Sequence, residues 1–106
     1  MLDEEQFRRH ADHAVEALKQ ALIAQEVEGG FEVEENNGVL NVVFEDDPSG
    51  KFVLTPNTPV RQIWISALST SFKLEWSEAT AQFILPKTGE ALQPLTVRLI
   101  QQYFES

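Results

Sequence analysis

The chain has 106 residues, 42% of them hydrophobic, the size of one domain with one modest core. It has no apolar run of about 18 residues, which excludes a helical membrane span; the lack of cysteine excludes disulfides, thiolate metal sites and cysteine nucleophiles. Residues 1–47 hold 13 of the 17 acids against 3 of the 8 basic residues, whereas the rest carries 4 acids against 5 bases. A field of that sign repels nucleic acid and anionic membrane and attracts cations or a basic protein surface.

From Asp3 to about Gln25 the apolar residues Phe7, Ala11, Ala14, Val15, Leu18, Ala21 and Leu22 recur at spacings of three and four. That spacing predicts a helix burying one stripe. Gly29-Gly30 ends it, and FEVEENNGVLNVVFE then alternates around Asn37-Gly38, a dipeptide suited to a two-residue hairpin turn. Strands are expected near 31–36 and 39–45. KFVLT is a further short strand, and TPNTP is a turn whose prolines cannot donate to a ladder.

QIWISA, FKLEW and AQFIL are three more strand candidates. In QIWISA alternation puts Ile63, Ile65 and Ala67 on one face and Gln62, Trp64 and Ser66 on the other. Beyond Thr88-Gly89, Leu92, Leu95, Leu99, Ile100, Tyr103 and Phe104 mark a second helical stripe, with Pro94 confined to its first turn. The predicted architecture is a single α+β domain over residues 1–106. It is a two-layer sandwich in which two helices cover one face of an antiparallel sheet of about six strands. With both helices needed over Ile63 and Ile65, nothing remains to cover Trp64, which is expected to be displayed.

Catalytic patterns are missing: no nucleophile elbow, P-loop or dinucleotide-binding glycine motif occurs, and the only histidines are His10 and His13. His10, His13 and Glu16 at spacings of three could point one way on a helix as a small metal site, although paired surface histidines are ordinary. Asp12 and Glu16 are like charges one turn apart, a spacing that weakens a helix. Glu26 and Glu28 follow the helix, and Glu32 and Glu34 project from one side of the first strand. Such carboxylates are hard oxygen ligands for iron, manganese, calcium or magnesium, held loosely. The same residues also read as a solvated face that protects an edge strand from aggregation.

The stretch NNGVLNVVFEDDPSGKFVLTPNTPVRQIWISALSTSFKLEW resembles the frataxin family, including its bacterial CyaY-type members. The likeness lies in the NGVL hairpin, in P-x-x-Q-I-W-I-S around Pro59, Gln62 and Trp64, and in the acid-ended strand FKLEW. It extends to Phe7, Ala11 and Asp12 in the first helix and to T-G-E-x-L before the last. The resemblance implies two helices on one face of an antiparallel sheet, and a non-enzymatic, iron-binding accessory protein of iron–sulfur cluster assembly. Ferrous or ferric iron would bind weakly on an acidic ridge of Asp12, Glu16, Glu26, Glu28, Glu32 and Glu34, with other divalent cations able to substitute. The open sheet face, through Asn57, Gln62, Trp64 and Lys73, would dock a cysteine desulfurase and its scaffold protein.

Lys19, Gln20, Ile23 and Ala24 stand where relatives place further acids. Thr55 replaces a frequent asparagine, and Ser69-Thr70-Ser71 replaces a glycine-containing turn. The alternatives are a protein-binding regulator without functional metal and, more remotely, a ferroxidase or iron-storage protein. A monomer in the bacterial cytoplasm is expected, with iron-dependent oligomers or a mature mitochondrial matrix form as variants of that reading.

Overall fold

The computed structural model describes residues 2–47 and 50–105, without the side chains of residues 27 and 28. The first helix, α1, spans Glu4–Ile23. Asp3 caps it: its carboxylate accepts from the Gln6 amide at 2.8 Å, while the Gln6 side chain accepts from the Asp3 amide at 3.1 Å. Two otherwise unpaired donors of the first turn are thereby satisfied. The buried stripe is Phe7, Ala11, Val15, Leu18 and Leu22.

The helix stops at Ile23, short of Gln25, and a separate turn, α2 (Glu26–Gly29), follows. Gly30 then takes a left-handed φ of 74° and turns the chain into the sheet. Glycine is needed at position 29 for a different reason: a β-carbon there would overlap the Phe31 ring. The glycine pair lets Phe31 pack beneath the turn.

Six strands follow: β1 (Phe31–Asn36), β2 (Val39–Phe44), β3 (Phe52–Asn57), β4 (Gln62–Ala67), β5 (Thr70–Ser77) and β6 (Gln82–Ile84). They form one sheet in sequence order, every neighbour antiparallel. β3 runs on through Pro56 to Asn57, into the segment expected to turn, and a short 3-10 turn at Thr58–Val60 makes the connection instead. Proline is tolerated at 56 because the β2 pairing ends at Leu54, opposite Leu40, so on that side Pro56 lies beyond the ladder. The β4–β5 turn is Leu68-Ser69, and Thr70 and Ser71 belong to the strand rather than to the turn predicted for them.

The last helix, α3, spans Leu92–Glu105 with Pro94 in its first turn, and buries Leu92, Leu95, Thr96, Leu99 and Ile100. The Thr96 hydroxyl donates to the Leu92 carbonyl at 2.8 Å, so the buried polar group is satisfied.

Both long helices lie on one face. Phe7 of α1 meets Phe83 of β6 edge-on at 5.7 Å, and Tyr103 of α3 stacks on Phe44 of β2 at 3.7 Å. Between them the inner sheet face contributes Leu40, Val42, Phe52, Leu54, Ile63, Ile65 and Leu74, all buried. Each such side chain contributes on the order of 1.5–3 kcal/mol by leaving water. No described element covers the opposite face.

Candidate docking platform and acidic edge

Strand alternation decides what the open face displays. Ile63 and Ile65 are 0% and 2% exposed, whereas Trp64 between them is 36% exposed. Register then assembles its neighbours: Trp64 pairs with Thr55 on β3 and Lys73 on β5, and Gln62 pairs with Asn57 and Glu75. The four residues predicted for partner binding therefore fall in one patch.

The patch is ordered by its own polar groups. The indole Nε1 of Trp64 donates to Gln62 Oε1 at 2.8 Å, and Gln62 Nε2 donates to Glu75 Oε2 at 3.2 Å. Lys73 Nζ sits 4.7 Å from the Trp64 ring centroid, a cation–π contact. A large aromatic ring held this way keeps its apolar surface toward solvent at little further entropic cost on binding.

The predicted metal ligands are arranged differently. Asp12 and Glu16 are exposed on α1. Glu32 and Glu34 are exposed on β1, the sheet edge, opposite Val43 and Asn41 and out of phase with Phe31 and Val33. They therefore belong to the same open face as Trp64, at the sheet edge three strands from β4. Glu26 is already engaged: its Oε2 accepts from the Val33 amide at 2.8 Å, satisfying a donor beside α2. The Glu28 side chain lies outside the described residues. Glu16 accepts from Gln20 Nε2 at 3.1 Å.

Lys19 interrupts the acids. Its Nζ lies 3.1 Å from Glu35 and 3.9 Å from Glu16. The hydrogen bond to Glu35, then the charge of Glu16, raise the lysine pKa above its ordinary value. Among the described residues no group of three or more acids or histidines converges in a geometry that could hold an ion. His10 and His13 instead line a groove of about 790 Å³ between α1 and α3, where His10 stacks on Trp76 at 4.1 Å.

Two participants were not anticipated from sequence: Glu75 as the acceptor behind Gln62, and Glu35 as the partner of Lys19. Alternation along FKLEW is a signal that sets Lys73 and Glu75 on the same face. What sequence lacks is the register that sets Glu75 opposite Gln62.

No described helix is long and apolar enough to cross a membrane. A family profile described as "Frataxin-like domain" matches residues 1–106. Two relatives named "Iron-sulfur cluster assembly protein CyaY" are similar. The one from Azotobacter vinelandii is 32% identical over 84 residues, covering 73% of this chain and 74% of its own. The one from Pseudomonas fluorescens (strain Pf0-1) is 26% identical over 101 residues, covering 95% and 88%. The solved structure of frataxin from Psychromonas ingrahamii superposes with a TM-score of 0.70 at 19% identity over 95% of this chain and 91% of that one, a likeness of fold. With the profile spanning its whole length, the α+β sandwich with its displayed Trp64 belongs to the frataxin family.

Proposed function

We propose that the protein is a non-enzymatic accessory of iron–sulfur cluster assembly that docks a cysteine desulfurase and its scaffold protein through the open sheet face, as a monomer. The observation that carries this reading is Trp64, large, apolar, exposed and hydrogen-bonded into a fixed pose. Residues of this kind supply a large share of binding energy at interfaces. The names of the relatives supply the pathway.

Iron is cargo rather than a resident cofactor in this reading. Asp12, Glu16, Glu32 and Glu34 attract hydrated ferrous or ferric ions through exposed carboxylates, and Glu26 and Glu28 follow α1 in the sequence. Such binding is weak and screened by salt. A second reading, a protein-binding regulator for which metal is incidental, is favoured by one observation: Glu16 and Glu26 already accept hydrogen bonds within the chain.

Two measurements test these readings. Anaerobic titration with ferrous and ferric iron, followed by amide NMR shifts, should move residues 12–34 at micromolar to sub-millimolar metal; no response there rejects iron as cargo. Titration of the desulfurase–scaffold complex with wild type and Trp64→Ala should show binding lost in a folded variant; equal binding rejects the sheet face as the docking surface.

A further inference from the structure

The ends of the hydrogen-bonded row on the open face have fixed polarity. An indole N–H can only donate, and an ionised carboxylate can only accept. Gln62 stands between the two and must present Oε1 to Trp64 and Nε2 to Glu75, as it does at 2.8 Å and 3.2 Å. Turning the amide over would set oxygen against carboxylate and NH2 against N–H, two repulsive contacts in place of two hydrogen bonds. The carboxylate of Glu75 therefore dictates the pose of Trp64 from across the β4–β5 ladder, where it faces Gln62 directly.

This arrangement also limits what Trp64 can offer. Its N–H is consumed within the chain, and Lys73 covers one face of the ring at 4.7 Å. The remaining surface is the uncovered ring face and its carbon edge. A partner seated there meets hydrocarbon and is not required to supply an acceptor, since the donor that docking would bury is already paired.

We infer that Glu75 is a positioning residue of the docking platform, and that the partner surface receiving Trp64 is an apolar socket that accepts no hydrogen bond from the indole. The socket rests on the docking reading above; the positioning role does not, because it is visible in the free protein.

The experiment combines four variants with two readouts. In the free protein, the indole N–H resonance of Trp64 and its exchange with water are followed by NMR. In the second readout, affinity for a cysteine desulfurase–scaffold complex is measured by titration. Glu75→Leu should shift the indole resonance, accelerate its exchange and weaken binding about fivefold, the cost of ordering a side chain on association. Glu75→Gln, whose amide oxygen can still accept from Gln62, should restore most of both. Trp64→Phe, which keeps an aromatic ring and lacks the N–H, should bind within about threefold of wild type, against a loss of at least about tenfold for Trp64→Ala.

Indole exchange unchanged in Glu75→Leu overturns the positioning role. Trp64→Phe losing as much affinity as Trp64→Ala overturns the apolar socket. Equal binding by wild type and Trp64→Ala overturns the docking reading and the socket with it, and the free-protein resonance still decides the role of Glu75.

Discussion

The β1–β2 and β4–β5 hairpins share a backbone plan and differ in what holds them. Each turns through two residues in the left-handed region, Asn37 and Gly38 at φ 54° and 83° in the first, Leu68 and Ser69 at 52° and 60° in the second. Asparagine and glycine adopt that geometry at little cost; leucine and serine do not. Yet the first hairpin, with its easy turn, displays carboxylates that among the described residues form no ion-holding group, and the second, with its costly turn, carries the ordered row from Glu75 to Trp64. Local sequence and functional order are thus set by different means. In the proposed function the acidic edge acts as a diffuse field, whereas the platform acts as a fixed shape imposed by cross-strand partners over a packed inner face.

The largest consequence is in how substitutions combine. Within the platform, Gln62→Ala and Trp64→Ala should each weaken partner binding, Trp64→Ala by about 30-fold or 2 kcal/mol, and the double variant should lose little more than Trp64→Ala alone. A double-mutant cycle in titration calorimetry measures the coupling. Losses that simply add would mean the indole works without its amide partner, and the contrast with the acidic edge would collapse.

The next effect is on stability and tests the turns. Leu68→Asn with Ser69→Gly should stabilise the protein by about 1–2 kcal/mol, a rise of several degrees in Tm, because the turn keeps its left-handed φ angles while the new residues avoid a strain of roughly 1 kcal/mol each. The reverse change, Asn37→Leu with Gly38→Ser, should lower it by a similar amount. Chemical denaturation of both variants gives the comparison directly. If relaxing the β4–β5 turn also weakens partner binding, exposed Leu68 is part of the docking surface; if binding is unchanged, the turn is only a stability cost.

These hairpins also explain what sequence could and could not reveal. Asn37-Gly38 between alternating strands is a local signal, and the predicted turn and strands match the observed ones. Leu68-Ser69 carries no such signal, and the expectation of a turn at Ser69-Thr70-Ser71 came from the family resemblance instead. Pro56 misled in a similar way: proline argues against a strand unless one side is unpaired, and pairing is a tertiary fact. The face occupied by Trp64 was legible because alternation and a count of helices suffice. Glu75 was not, since its role depends on standing opposite Gln62.

A smaller effect is expected where charge acts at a distance. Glu32→Gln with Glu34→Gln should slow association with the desulfurase–scaffold complex severalfold at low ionic strength and leave dissociation almost unchanged, as exposed charges steer encounter more than they hold a complex. The two changes should add, because the side chains share no partner, and the effect should fade as salt shortens the screening length from about 10 Å toward 3 Å. Stopped-flow association at several salt concentrations reads both. A change confined to dissociation would place these carboxylates in tight contact with the partner, as is proposed for the platform.

The smallest effect concerns Lys19, the cation set among the acids. Glu35 by its hydrogen bond, and Glu16 by its charge, hold the lysine pKa above the ordinary value. The stabilising contribution is therefore complete below the unfolded value near 10.5 and is lost as pH rises through the higher folded one. Tyr103 acts in the same direction: burial, then the hydrogen bond to Asp46, push its pKa up to about 12, so a loss of stability between pH 10 and 12 in wild type has two sources. Comparing wild type with Lys19→Gln isolates the lysine, and the variant should lose less stability above pH 10. At neutral pH the same substitution releases Glu16 and Glu35 from their cation, so divalent metal should bind the edge about two- to threefold more tightly at low salt. Metal affinity unchanged in Lys19→Gln would show that Glu16 and Glu35 stand apart from the ions, leaving Asp12, Glu32 and Glu34 as the field that attracts them.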